Sequence, residues 1–316
     1  MKLTVTSSPH IRGNFRTSRL MLDVVIALFP SLAVGAAVLG IRALLVALVS
    51  VATAVAAEVF YSAVLKKRNT AIDGSAMVTG LLFAMTLPVN VPLWIVVMGS
   101  AFAILAVKLL CGGLGQNIFN PALLARAFMM LLFPAALTRY TAVGVDAVTS
   151  ATPLHHMVMP ALPEESVLDM FLGNCPGSIG ELSALALLAG GVYLVARKVI
   201  TARIPVAYIG TVAIITLVFH KTDSALNWML YQLFSGGLML GAIFMATDYV
   251  TSPVTKFGQY IYGIGCGALT VVFRYFGLFP EGVTYAILLM NLCVWTIDRY
   301  TPTRIYGYTK GGAPRA

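Results

Sequence analysis

Between Leu20 and Leu65 the chain carries only three charged residues, Asp23, Arg42 and Glu58. A helix that crosses a bilayer needs roughly 20 apolar residues, and this stretch supplies two in succession, Leu20–Gly40 and Ile41–Leu65. Further apolar stretches follow at Gly74–Leu87, Val91–Leu110 and Asn120–Leu137, then at Leu182–Val199, Pro205–His220, Leu226–Thr247, Phe257–Gly277 and Val283–Asp298. The expected fold is an all-α integral membrane protein of about ten spans. The third, short and containing glycine, is expected to be broken or partly re-entrant, which is tolerated where protein or a water-filled cavity covers it. Composition excludes the soluble alternatives. Charged residues make up 10% of the 316, against about 25% in soluble domains, and mean hydropathy is +0.88. So few charges cannot clothe a soluble enzyme, a coiled coil or a disordered chain.

Net charge is +9. In a membrane protein Lys and Arg gather on the cytoplasmic side, and no Arg-rich run interleaved with aromatics is present, so nucleic-acid binding is not expected. If the polar, basic segment Met1–Arg19 is cytoplasmic, sixteen basic residues share its side, from Lys2 through Lys66, Lys67, Arg68, Lys108, Arg197, Lys198 and Arg203 to Arg315. Four (Arg42, Arg139, Lys221 and Arg274) fall opposite, with Arg126 inside a span. Both termini are therefore expected inside, with an even number of spans. The first span starts late, is long and leads directly into another, which fits a retained helix better than a cleaved signal.

The interval Thr138–Gly180 then lies outside the cytoplasm. It carries Arg139 against Asp146, Glu164, Glu165 and Asp169, and four prolines, and is expected to be ordered but largely irregular. It divides the chain into a tail plus five spans (1–137), a loop (138–181), and five spans plus a tail (182–316). Because five is odd, any structural repeat must be inverted, and inverted halves place functional sites at their mid-membrane interface. One trace of duplication survives: Phe83-Ala84-Met85-Thr86 lies 161 residues before Phe244-Met245-Ala246-Thr247.

Ionisable groups within spans are functional candidates. Asp23, Asp73, Asp248 and Asp298 fall near cytoplasmic span ends, and Glu58 about two turns inside. Carboxylates are hard oxygen ligands suited to Na⁺ and equally suited to relaying protons. The structural alternatives are that Asp73 caps a helix and Asp298 pairs with Arg299. Asn120-Pro121 reads as an N-cap with proline at the first helical position. Met129-Met130 and the glycines at 236–237 read as packing. The four cysteines show no C-x-x-C spacing and no complete metal site, though one could share a metal with a partner subunit.

Asp146-Ala147-Val148-Thr149-Ser150-Ala151-Thr152-Pro153-Leu154 is a strip of small residues. Pro153 pushes Thr152 into an extended conformation, so that its hydroxyl stands clear and Ser150 and Ala151 leave room for a modifying enzyme. A plain Ser/Thr turn is the structural alternative, and His155 and His156 read as solvated or as hydrogen-bonding a bound group. The strip resembles the flavinylation motif of the Rnf complex D subunit and of its relative, the B subunit of the sodium-pumping NADH:quinone reductase. The usual glycine is replaced by Ser150. Ser8-Pro9-His10, Asp73-Gly74, Leu81 to Pro88 and Gly115-Gln116-Asn117-Ile118-Phe119-Asn120-Pro121-Ala122 resemble the same family in the same order, and the short N-terminal segment favours the Rnf protein over the quinone-reductase one.

The resemblance implies a urea-transporter-like fold of two inverted five-helix repeats. It also implies FMN joined through its phosphate to Thr152 by a flavin transferase, with Asp146, Thr149, Ser150 and Ala151 as recognition residues, and a non-covalent riboflavin in the membrane region. It places acids associated with cation entry at Asp73 and Asp298. It further implies a multi-pass plasma-membrane component, working with the other Rnf subunits (A, B, C, E and G), that couples ferredoxin:NAD oxidoreduction to movement of Na⁺ or H⁺. A channel or secondary transporter built on the same repeat without flavin is the competing expectation.

Overall fold

The computed structural model describes residues 17–64, 71–141, 149–150, 166–222, 224–277 and 282–302. The apolar stretches are helical because a chain in lipid must pair its backbone groups within itself. Helices α1 (Thr17–Leu39) and α2 (Ile41–Val64) are each long and apolar enough to cross a membrane alone. They meet at Gly40, whose φ of 83° makes the sharp reversal that glycine allows. On α2 the buried residues are mostly small, Ala43, Val46, Ala47, Ser50, Ala54, Ala57 and Ser62, with Glu58 among them. The spacing of three and four puts these small residues on one face, where another backbone can approach closely. That backbone is α3 (Ser75–Met85): Ser50 Oγ donates to the Gly80 carbonyl at 2.6 Å.

Helix α4 (Leu93–Leu109) is π-helical over Ala103–Leu109. Asn120 caps α5 (Pro121–Leu132), its side chain accepting from the amides of Ala122 and Leu123 as its sequence position predicts. The fifth span is not continuous: Phe133 leaves helical geometry before Pro134, and α6 (Pro134–Leu137) is a separate short turn.

The described residues of the central interval include three short regular elements. Strands β1 (Tyr140–Thr141) and β2 (Thr149–Ser150) form an antiparallel ladder, Tyr140 opposite Ser150. Helix α7 (Val167–Leu172) is capped by Ser166, whose hydroxyl accepts from the Asp169 amide and donates to its carboxylate at 2.6 Å, holding that carboxyl below its usual range. The chain then returns to the end of α3, where Ile179 and Gly180 donate amides to the carbonyls of Leu87 and Met85. One of α3's orphan C-terminal carbonyls, that of Met85, is thus satisfied from the other side of the interval.

The second half comprises α8 (Ala184–Ala196), α9 (Arg203–Val218), α10 (Ala225–Phe234), α11 (Leu238–Met245), α12 (Lys256–Phe276) and α13 (Val283–Tyr300). The broken span is here. Helices α10 and α11 bend by 64° at a break, whereas α3, expected to be broken or partly re-entrant, is unbroken over its 11 residues but too short to cross a bilayer alone. Ser235-Gly236-Gly237 explains the difference, with Gly236 at φ 63°. Helix α12 packs on α9 through Gly263 and Gly267, four residues apart, set against Ile204, Ala207, Tyr208 and Thr211. One contiguous apolar core runs through both halves.

Candidate functional site

The buried stripe of α2 carries one carboxylate, Glu58, and the π-helical turn of α4 brings an ammonium to it. Such turns are frequent at functional sites. Lys108 Nζ donates to both carboxylate oxygens of Glu58 at 2.9 Å and to Ser75 Oγ at 2.7 Å. These bonds use all three ammonium donors. Both charged side chains are almost completely buried, 2% and 0% exposed. Lys108 therefore does not belong to the basic loops where its position near a span end put it. Asp73, in the 3₁₀ turn Ala71–Asp73, adds a second negative charge acting on the same ammonium. It does not cap α3, because Gly74 occupies that position without a side-chain bond.

Asp298 engages a different element, accepting the Val254 amide at 3.2 Å just before α12. The Arg299 guanidinium lies over the Trp295 ring. Of the three acids considered for an ion route, the structure brings Glu58 and Asp73 to one cation and leaves Asp298 as a helix-entry acceptor.

Ser75 and Lys108 line a cleft between the two halves, together with Asn117 and Asn120 from the first half and Thr247 and Asp248 from the second. Asn120 crosses the interface, Nδ2 donating to the Met245 carbonyl at 3.2 Å. Asn117 Oδ1 is buried there without a hydrogen-bond partner, a position at which a bound polar group would be satisfied. Burial raises the Asp248 carboxyl above its usual range, against amide and Thr251 hydroxyl bonds that lower it. At the membrane face of Asp23, that residue joins the halves by accepting from Tyr193 at 3.0 Å and Arg197 at 3.3 Å.

A second charged cluster lies beyond the end of α3. Arg126 approaches Glu181 at 3.6 Å. Tyr140, buried beside them, has its hydroxyl pushed up to about 12, chiefly by burial. Arg274 of α12 bonds to Gln232 Oε1 and to the carbonyls of Gln232 and Ser235. Lys108 and Arg274 thus play matching parts. Each comes from the fourth span of its half and holds a serine of the third, Ser75 by its hydroxyl at the start of α3 and Ser235 by its carbonyl at the break between α10 and α11. The repeated tetrapeptide occupies matching places too, at the C-terminal ends of α3 and α11. There Thr86 donates to the Phe83 carbonyl and Thr247 to that of Ile243.

Asp146, Ala151 and Thr152 lie outside the described residues, as do His155 and His156. Thr149 and Ser150 are described as the strand that pairs with Tyr140–Thr141. Among the described residues no group of three or more His, Cys, Asp or Glu could hold a metal. Sequence reasoning misses the pairings of Lys108 with Glu58 and of Arg126 with Glu181. The available signal is the presence of opposite charges within apolar stretches, each of which must find a partner.

Fold and site together define a helical membrane protein that keeps paired charges in an apolar interior, at a cleft between two halves. The chain belongs to the NQR2, RnfD, RnfE family, whose model matches residues 4–307. It is 48% identical, over 98% of its length and 97% of the relative's, to the D subunit of the Na(+)-translocating ferredoxin:NAD(+) oxidoreductase complex of Acetobacterium woodii. It is 44% identical, over 96% of both chains, to the D subunit of the proton-translocating ferredoxin:NAD(+) oxidoreductase complex of Clostridium ljungdahlii. The D subunit of the ion-translocating oxidoreductase complex of Stutzerimonas stutzeri is 39% identical over 94% of both.

Proposed function

We propose that this chain is the D subunit of an Rnf-type ion-translocating ferredoxin:NAD⁺ oxidoreductase in the plasma membrane. The observation that carries this is end-to-end identity of 48% and 44% to the D subunits of two such complexes. Ten spans in two inverted repeats are supported by the matched roles of Lys108 and Arg274 and by the matched places of Thr86 and Thr247. An extracytoplasmic interval 138–181 with both termini inside is supported by the loop charges that remain after Lys108 is removed.

Within that protein, Thr152 carries FMN through a phosphoester, with Asp146, Thr149, Ser150 and Ala151 as the strip a flavin transferase reads. A threonine hydroxyl before proline, beside small residues, suits the attachment. The flavin supplies one- and two-electron chemistry; the protein supplies tethering and orientation. The ladder between β1 and β2 ends two residues before Thr152, so the tether is anchored within about 7 Å of chain from a fixed strand. A second, non-covalent riboflavin in the membrane region belongs to the same reading. Glu58, Asp73 and Asp298 serve Na⁺ or H⁺ entry, and the other Rnf subunits deliver and remove electrons.

The test is the full chain coexpressed with the transferase and run on a denaturing gel under ultraviolet light. Wild type gives a fluorescent band, Thr152→Ala gives none, and Thr149→Ala retains part of it. A band that persists in Thr152→Ala places the flavin elsewhere. A wild-type chain without fluorescence, beside an active transferase, overturns the flavoprotein reading.

A further inference from the structure

The second half carries a cavity that the cleft between the halves does not use. It is an apolar groove of about 660 Å³ between α8 and α9, closed underneath by Ile243 of α11. Glycines open it: Gly191 and Gly210 put no side chain into the space, and a Cβ at Gly210 would meet nothing within 4 Å. Val192 and Val206 on its walls are 69% and 64% exposed, an apolar surface open on the outside of the chain. At one end the groove reaches the loop between α8 and α9 through Ala196, Ile200 and Ala202.

That loop is basic. Arg197 is paired with Asp23, Arg203 donates to the neutral Gln259 side chain at 3.2 Å, and Lys198 is exposed. Lys198 also has an unusual backbone. Helix α8 ends with Lys198 donating its amide to Val195 and Val199 donating to Leu194, the paired bonds of a Schellman ending whose left-handed residue is normally glycine. Here that residue is lysine at φ 57°, the one non-glycine with positive φ among the described residues. A cation is held where glycine would relax the chain.

We propose that this groove binds an anionic phospholipid of the surrounding bilayer. One acyl chain lies between α8 and α9, and the phosphate meets Lys198 and Arg203. Charge complementarity selects this occupant, since basic pockets between membrane helices recognise acidic headgroups. A partner's membrane helix, roughly 10 Å across and 30 Å long, occupies several times the groove's volume.

The test is native mass spectrometry of the full chain in detergent, with phosphatidylglycerol and phosphatidylcholine of identical acyl chains at equal concentration. Wild type retains phosphatidylglycerol over phosphatidylcholine by roughly 25-fold, given roughly fivefold for each of the two cations near the headgroup. Lys198→Gly relieves the backbone and keeps the thermal midpoint, yet loses roughly fivefold of that preference. Gly210→Leu fills the open space and lowers retention of both lipids. Equal retention of the two lipids by wild type overturns the proposal. So does a Gly210→Leu variant that keeps its lipid but loses co-purifying membrane proteins of the complex, because the groove then seats a partner helix.

Discussion

Removing the ammonium at position 108 tests whether the buried pair is a unit. Lys108→Met keeps most of the side-chain volume but takes the ammonium away from the Glu58 carboxylate, which is 0% exposed. Breaking a buried ion pair on one side costs about 3–5 kcal/mol, because a desolvated charge loses its partner. Glu58→Gln strands the ammonium instead and should cost a similar amount. The double variant Glu58→Gln/Lys108→Met removes both charges, and replacing a buried pair by neutral groups is often nearly neutral. It should therefore recover most of the loss and cost far less than the two single losses added together, since residues in one network are non-additive. The assay is thermal unfolding of the purified full chain in detergent, where each single variant should fall by roughly 6–20 °C at about 2–4 °C per kcal/mol. Reversible denaturant titration supplies the free energies for the cycle. If the single losses simply add in the double variant, to within about 0.5 kcal/mol, the two charges are not coupled and the pair does not hold α2, α3 and α4 together.

Asn120→Ala removes both the cap of α5 and the donor to the Met245 carbonyl, and should cost about 2–4 kcal/mol in the same unfolding assay. Asn120→Asp keeps the capping oxygen and should lose less. Asp73→Asn should slow ion-coupled electron transfer in the assembled complex while FMN stays attached. Normal ion transport in both Asp73→Asn and Asp298→Asn removes these acids from the route. For orientation, a cysteine introduced beside Arg197 should react with an impermeant reagent only from the cytoplasm, and one beside Glu164 only from outside. The reverse pattern inverts the proposed topology.

The apolar stretches are legible in the sequence because burial in lipid makes a one-dimensional demand on composition and on helix length. The expected ends of α3, α4, α9 and α12 fall within a few residues of those observed. The Asn120 cap is equally legible, since a cap depends only on the residues that follow it. Family membership is readable from motifs in order along the chain. Charge partners are not. Lys108 sits near a span end and looks like a loop cation, and only the π-helical turn of α4, set by packing against α2, turns it inward to a carboxylate 50 residues away. Glycine content and short length point to α3 as the broken span. Yet Gly80 is used for close approach to α2, and the break falls at Gly236-Gly237, where α10 gives way to α11. A glycine's role depends on what approaches it. Local hydrophobicity alone marks out the apolar helical segments in the sequence; the tertiary structure alone decided which buried charges meet, because their pairing rests on contacts between helices far apart in the chain.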